Sequence, residues 1–517
     1  MRSLRNSIAA LFALMAFPVE AEDAAKLYQT HCAACHGESR LGGTGPALIP
    51  ESLARIKPEA VSKTIFEGRP ATKMPAFGET LSKDEIAALT KLALTPLPQQ
   101  PVWTENEIVA SRSIFDTAPP VSAPVFSADR LNLFVVVEAG DHHITILDGD
   151  SFTLLTRFET HFALHGGPKF TRDGRYVFFM SRDGWVTKYD LWALKPVAEV
   201  RAGINSRNIA ISKDGKHLAV ANYLPHSLVI LDTETLSVEK IFDVRDKHGQ
   251  TSRVSAVYQA PQRDSFVAAL KDVPEIWEMA TNPNAEPVFT GLVHSYERGM
   301  VEGLASSSGL FALRRIAVPE PIDDFFFDAH YRHLIGASRD GNKAYVVNLN
   351  VGRDIAMIDL PGMPHLGSGI SWEWNGRRVV ATPHLKDSAL SIIDMTDWKV
   401  IKTLKTDGPG FFLRSHENTP YVWADVSGGR HKDRLHIIDK RSLEIVKTIT
   451  PAPGRPASHV EFDREGRHAL VSIAEMKGDL LIMDANDFRE VKRLPMAKPS
   501  GKYNVWNKIT FSAGTSH

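Results

Sequence analysis

The chain has 517 residues, 43% of them hydrophobic: too long for one ordinary domain, with ample apolar material for packed cores. Its 60 Lys and Arg against 61 Asp and Glu leave a formal net charge of −1, which argues against bulk nucleic-acid binding because that needs a basic surface. There are two cysteines in all, three apart and followed by histidine, so both already have a use other than a disulfide framework.

Residues 1–21 read as a signal peptide. Arg2 and Arg5 form its positive end, Ile8 to Phe17 its apolar run, and Val19-Glu20-Ala21 puts small residues before cleavage at Glu22. The apolar run is far short of the roughly 20 residues of a membrane helix, and no later stretch reads as membrane-spanning. The alternative is an uncleaved anchor. The expectation is a mature protein soluble in the periplasm.

Residues 22–97 read as a small all-α cytochrome c domain. Asp23 to His31 is expected to be helical and leads into Cys32-Ala33-Ala34-Cys35-His36, the signature of c-type haem attachment. One helical turn presents two thiols to two vinyl groups, and the histidine that follows meets the iron. A zinc half-site is the competing reading; it needs two further thiol or imidazole ligands nearby. Gly42-Gly43-Thr44-Gly45-Pro46 reads as a loop where backbone approaches the haem edge. Lys73-Met74-Pro75-Ala76-Phe77 resembles the methionine loop of class I cytochromes c, which makes Met74 the expected sixth ligand; a thioether on iron raises the reduction potential. Met74 as a plain packing residue is the alternative. Ser82 to Leu94 reads as an amphipathic helix with a Ser82–Glu85 capping box and an apolar face of Ile86, Leu89, Leu92 and Ala93.

Residues 98–120 read as a linker, proline-rich at both ends, with a short helix expected between Trp103 and Phe115. Residues 121–517 change character. A turn followed by a strand recurs at Arg172-Asp173-Gly174-Arg175, Lys213-Asp214-Gly215-Lys216, Arg339-Asp340-Gly341-Asn342 and Arg464-Glu465-Gly466-Arg467. Apolar strands ending in aspartate recur at Asp148, Asp190, Asp232, Asp359, Asp394, Asp439 and Asp484. Steps of 42 residues separate the first three aspartates, and steps of 45 the last three. A period of roughly 40–50 with several short strands per repeat means a β-propeller. The length gives about eight blades, and the blurred stretch between Asp232 and Asp359 leaves seven open. A propeller alone predicts docking rather than chemistry.

A haem c domain, a proline linker and an eight-bladed propeller together resemble the cytochrome cd1 family, over nearly all of the mature chain. Phe162-Ala163-Leu164-His165, followed by Gly174-Arg175-Tyr176, is similar to the family's segment bearing the proximal histidine of haem d1. Asn222-Tyr223-Leu224-Pro225 is similar to a segment lining the d1 pocket. Met363-Pro364-His365-Leu366-Gly367, with Thr382-Pro383-His384-Leu385 after it, resembles the loop of a distal histidine, and Gly501 to Asn507 resembles the closing segment. The resemblance implies His165 as iron ligand of a d1-type macrocycle and His365 as distal acid or base. It also implies Arg207, Tyr223, His384, His416 and Trp506 as pocket residues. Each has a bland alternative among 20 histidines and many surface arginines; Arg207 suits two-point pairing with a macrocycle carboxylate.

The nitrite reductases of this family use two distal histidines. Here only one is evident, and Asp323 stands where the other is expected; an ionised Asp323 would repel anionic nitrite. Only about ten residues precede Cys32 after the expected cleavage site, leaving no room for the reductases' N-terminal extension. Both departures point to the family's biosynthetic branch, which oxidises a propionate of the precursor dihydro-haem d1 to an acrylate. That branch implies His365 or Asp323 as base, haem c as electron acceptor, an external protein as the next acceptor, and a cd1 nitrite reductase as recipient of the product. The alternatives are a nitrite reductase with one altered distal residue, a non-catalytic d1 carrier or electron-transfer partner, and an unrelated quinone-type propeller dehydrogenase.

Overall fold

The computed structural model describes residues 21–54, 56–69, 73–289, 306–338, 342–511 and 514. Residues 1–20, which hold nearly all of the expected leader, and the turn residues 339–341 lie outside the described residues. The chain divides into two compact units, residues 1–99 and 100–517. No helix among the described residues is long and apolar enough to cross a membrane.

The first unit is helical, with its main helices at Ala21–His31, Pro58–Glu67 and Lys83–Ala93. The last is started by Ser82, whose Oγ accepts from the Glu85 N–H while Glu85 accepts from the Ser82 N–H. It buries Ile86, Leu89 and Ala93, and the first two join Tyr28, Ala33 and Leu81 in one core. A single helical turn, Ala33–His36, carries the attachment motif.

The second unit is a ring of eight four-stranded antiparallel blades. From blade 2 onward each blade runs outward from an inner strand, and the inner strands are 169–170, 205–211, 254–260, 324–327, 370–374, 413–414 and 457–462. Blade 1 is closed differently. Its second to fourth strands come from residues 133–159, while its inner strand is Pro499–Asn504, from the end of the chain. The two chain ends of the propeller are thus joined by backbone hydrogen bonds inside one sheet, which closes the ring. Within each blade the middle strands are buried on both faces and read as near-continuous apolar runs, such as Leu133–Val137 and Phe266–Leu270. The outermost strands are largely exposed, as in Arg353–Asp359.

The repeating aspartates have a local cause. Asp190 Oδ1 accepts from the N–H groups of Trp192 and Ala193, Asp439 Oδ1 from Arg441 and Ser442, and Asp484 Oδ1 from Asn486 and Asp487. Each carboxylate thereby holds the tight turn from the third strand to the outer one. In the turns before the second strand, Gly174, Gly215 and Gly466 take positive φ, which glycine permits.

The blurred stretch contains two full blades, so the number is eight. Blade 4 carries an extra hairpin, Val288–Phe289 with Ser306–Ser307, between its third and outer strands. In blade 5 the turn-holding residue is Asn348, whose Oδ1 accepts from the N–H groups of Asn350 and Val351. Asp359, expected in that role, instead ends the outer strand Arg353–Asp359. The stretch predicted as linker also carries structure: the helix Glu105–Ser111, shorter than expected, and a two-residue strand pairing with the outer strand of blade 2. Trp103 Nε1 donates to Arg201 O at 2.8 Å, and Ile108 is buried in the core between blades 2 and 3.

Candidate functional site

In the first unit, the turn Ala33–His36 follows the helix Ala21–His31, so Cys32 and Cys35 stand one turn apart with no disulfide between them. Burial, then the charge of Cys35, pushes the Cys32 thiol up to about 11. His36 is 8% exposed, and burial lowers its pKa, which keeps the imidazole neutral. Its Nδ1 lies 2.7 Å from the Pro46 carbonyl and donates to it, which leaves the lone pair on Nε2. Gly45 is packed flush against that ring: a Cβ there would lie 2.7 Å from His36 Cε1 and 2.9 Å from Nδ1. The glycine loop therefore lies against the imidazole itself. Two thiols at this spacing and a neutral imidazole with one committed nitrogen fit a covalent haem. Among the described residues no three His, Cys, Asp or Glu side chains are grouped to hold a metal ion, so the zinc reading lacks its ligands. Met74 lies in a loop whose main chain folds back, its carbonyl accepting from the Arg69 N–H at 3.1 Å.

In the propeller, the inner strands all start at one end of the ring, and most of the candidate residues gather there. His165 sits on the loop before the first inner strand of blade 2. Its Nδ1 is 2.6 Å from Arg207 O, and Arg207 Nη1 is 2.9 Å from its Nε2. Arg207 and Tyr223 owe their positions to opposed irregularities in one ladder. Asn222 pairs with Ser206 and Ala221 with Asn208, so Arg207 is an extra residue; Leu224 pairs with Asn205, so Tyr223 is extra on the facing strand. Bulges re-aim side chains in this way.

His365 precedes the inner strand of blade 6. Its Nδ1 is 3.0 Å from the Phe411 carbonyl and 2.8 Å from Ser368 Oγ, and its Nε2 is 3.3 Å from Asp324 Oδ2. The His365 and Asp324 side chains are each 11% exposed. Asp324 opens the inner strand of blade 5, and side chains along a strand alternate between its faces, so the residues on either side of it point elsewhere. Asp323 Oδ1 binds the Lys271 ammonium, and Arg253 and Lys271 lie over the Tyr223 ring at 5.4 and 5.9 Å. Phe325 meets the Tyr258 ring edge-on at 4.9 Å. Burial, then the charge of Asp324, raises the pKa of the Tyr258 phenol and keeps it protonated.

The propeller adds groups that the sequence did not single out: Asp324, Tyr258, Lys271, Ser368 and His459. His459 is 2% exposed, in contact with the Phe412 and Tyr503 rings, and burial followed by the charges of Lys502, Arg414 and Lys508 holds its pKa well below the ordinary value. The Asp323-Asp324 pair was a usable signal, since one of two adjacent carboxylates on a strand must face each side. His459 had none beyond being a histidine.

Three expected pocket residues are placed otherwise. His384 is at the right end, but its Nε2 is 3.0 Å from Ser391 Oγ inside blade 6 and it is 2% exposed. Its part is to brace the His365 loop, through a bridge to Pro364. His416 and Trp506 follow their inner strands instead of preceding them, so they lie at the other end of the ring. His416 Nδ1 accepts from the Asn418 N–H, and Trp506 is covered by the Arg464 guanidinium at 4.2 Å.

Known proteins share this fold and this order of domains. Residues 128–295 and 306–508 match the family model "Cytochrome D1 heme domain", and residues 19–91 match "Cytochrome C oxidase, cbb3-type, subunit III". The chain is 50% identical to "Dihydro-heme d1 dehydrogenase" of Pseudomonas aeruginosa over 95% of both chains. It is 26% identical to "Nitrite reductase" of Stutzerimonas stutzeri over 95% of this chain and 93% of that one. A solved structure, "Dihydro-heme d1 dehydrogenase NirN in complex with DHE", superposes with a TM-score of 0.86 at 49% identity, covering 94% of this chain and 99% of the other. An N-terminal haem c unit, an eight-bladed propeller and this degree of likeness along nearly the whole length place the chain in the dihydro-haem d1 dehydrogenase family of cytochrome d1 haem-domain proteins.

Proposed function

We propose that this protein is a periplasmic c-type cytochrome that oxidises the propionate side chain of dihydro-haem d1 to the acrylate of haem d1. The observation that carries the reading is the convergence, at one end of the propeller, of an imidazole fixed through Nδ1 (His165) and an imidazole–carboxylate pair (His365 with Asp324).

Forming the double bond removes two electrons and two protons from adjacent carbons. His165 holds the macrocycle iron. His365 takes one proton as base and the other passes to water, while Asp324, 3.3 Å from Nε2, stabilises the imidazolium so formed and keeps the ring oriented. Asp323 is the second candidate base; its Oδ1 is already engaged by the Lys271 ammonium. Arg207, Tyr223 and Lys271 form the polar rim that receives the macrocycle's carboxylates. Cys32 and Cys35 attach haem c, and His36 and Met74 ligate it. Held there, haem c would supply a one-electron acceptor that relays to an external acceptor protein, so two transfers complete each turnover. A cd1 nitrite reductase receives the finished haem d1.

The test is to incubate the haem c-loaded protein with dihydro-haem d1 and an oxidising acceptor, then extract the macrocycle and weigh it. Loss of two hydrogens supports the dehydrogenase. An unchanged mass with stable binding makes the protein a carrier, and turnover of nitrite makes it a reductase. His365→Ala should retain binding and lose conversion; normal conversion in that variant removes His365 from the reaction.

A further inference from the structure

Both ring nitrogens of His165 meet Arg207. The Arg207 carbonyl takes Nδ1–H at 2.6 Å, which fixes the tautomer and turns the Nε2 lone pair outward; the Arg207 guanidinium then donates to that lone pair at 2.9 Å. The atom that would bind iron is therefore the acceptor of a hydrogen bond from a permanent cation. Arg207 is at the bulge of its strand, where the ladder does not tie its side chain into the sheet. Iron and guanidinium compete for one lone pair. A guanidinium leaves such a bond readily when a carboxylate offers it a two-point, charge-assisted one.

We infer that Arg207 is a carboxylate-released cap on His165: a specificity-determining residue that opens the iron ligand when a macrocycle presents a carboxylate within its reach. On binding, the Nε2 lone pair passes from the N–H donor to iron, and the guanidinium, still charged, passes to the carboxylate; no proton changes hands. A macrocycle without a free carboxylate has to displace the cap uncompensated. Its apparent affinity is then reduced by the fraction of protein in which Nε2 is uncovered, roughly tenfold for a bond of this kind. The inference rests on His165 as the iron ligand.

The experiment titrates full-length, haem c-loaded protein with dihydro-haem d1 and with its fully methyl-esterified form, following the absorption of the iron-ligated macrocycle. Wild type should bind the free acid about tenfold more tightly than the ester. Arg207→Gln should bind the ester more tightly than wild type does, because the cap is gone, while binding the acid less tightly. A residue that only anchors a carboxylate would leave ester binding unchanged, so an unchanged or weakened ester affinity in Arg207→Gln overturns the inference. Arg207→Lys, which keeps the charge but not the planar fork, should fall between the two and guards against a folding defect in the first variant. His165→Ala tests the underlying reading separately: an iron-ligated spectrum that survives it rejects His165 as ligand, whatever Arg207 does.

Discussion

Gly45→Ala tests the proposed role of His36 as the haem c ligand. The new Cβ would lie 2.7 Å from His36 Cε1 and 2.9 Å from Nδ1. Carbon atoms pack at about 3.5 Å, so the ring has to retreat by roughly 0.8 Å. That motion stretches the bond from Nδ1 to the Pro46 carbonyl, now 2.7 Å, beyond useful length. Crowding costs about 1–3 kcal/mol, and the lost hydrogen bond about 1 kcal/mol. The bond to Pro46 O also makes the imidazole a better donor to iron and so favours the ferric state. Losing it should raise the midpoint potential by about 40 mV for each ~1 kcal/mol of difference between the oxidation states. Spectroelectrochemical titration and thermal melting of the haem c-loaded protein read both effects. An unshifted potential together with an unchanged melting temperature would refute the reasoning.

The remaining predictions concern the propeller. His384, His416, His436 and His459 are all nearly buried, and burial lowers the pKa of each. Unfolding lets them take protons below their ordinary value near 6.5, so stability should fall as pH drops from about 7 to 5.5, by up to about 1.4 kcal/mol per pH unit for each histidine; the urea midpoint measures this, and a flat profile contradicts it. Asp439→Ala removes the acceptor of two backbone N–H groups and should destabilise by about 1 kcal/mol, with Asp439→Asn close to wild type in thermal melts. Phe134→Ala empties a fully buried position next to Phe152 and should cost about 3–5 kcal/mol, read as a drop in the urea midpoint.

The propeller was legible because its signals are local. An aspartate that caps a turn through its own side chain marks the turn wherever it occurs, and the marks at Asp148, Asp190 and Asp232 are evenly spaced. The signal fails where a blade departs from the rule: Asn348 does the aspartate's work in blade 5, and blade 4 carries an added hairpin. Site residues were less legible for a different reason. His165 and His365 stand before inner strands and His416 and Trp506 after them, so the strand boundaries decide which end of the ring each occupies. Asp323 and Asp324 differ by one residue, and only the strand register says which of them meets His365 and which meets Lys271.

The closure of blade 1 makes the ring depend on two distant parts of the chain. Its inner strand, with Gly501 and Tyr503 beside His165, follows the strands of the other seven blades along the chain. The N-terminal unit, by contrast, is complete within the first 99 residues. The propeller, unlike that unit, is held closed by segments far apart along the chain. A defect at either end of this one sheet, in residues 133–159 or in 499–504, therefore opens the whole ring rather than one blade.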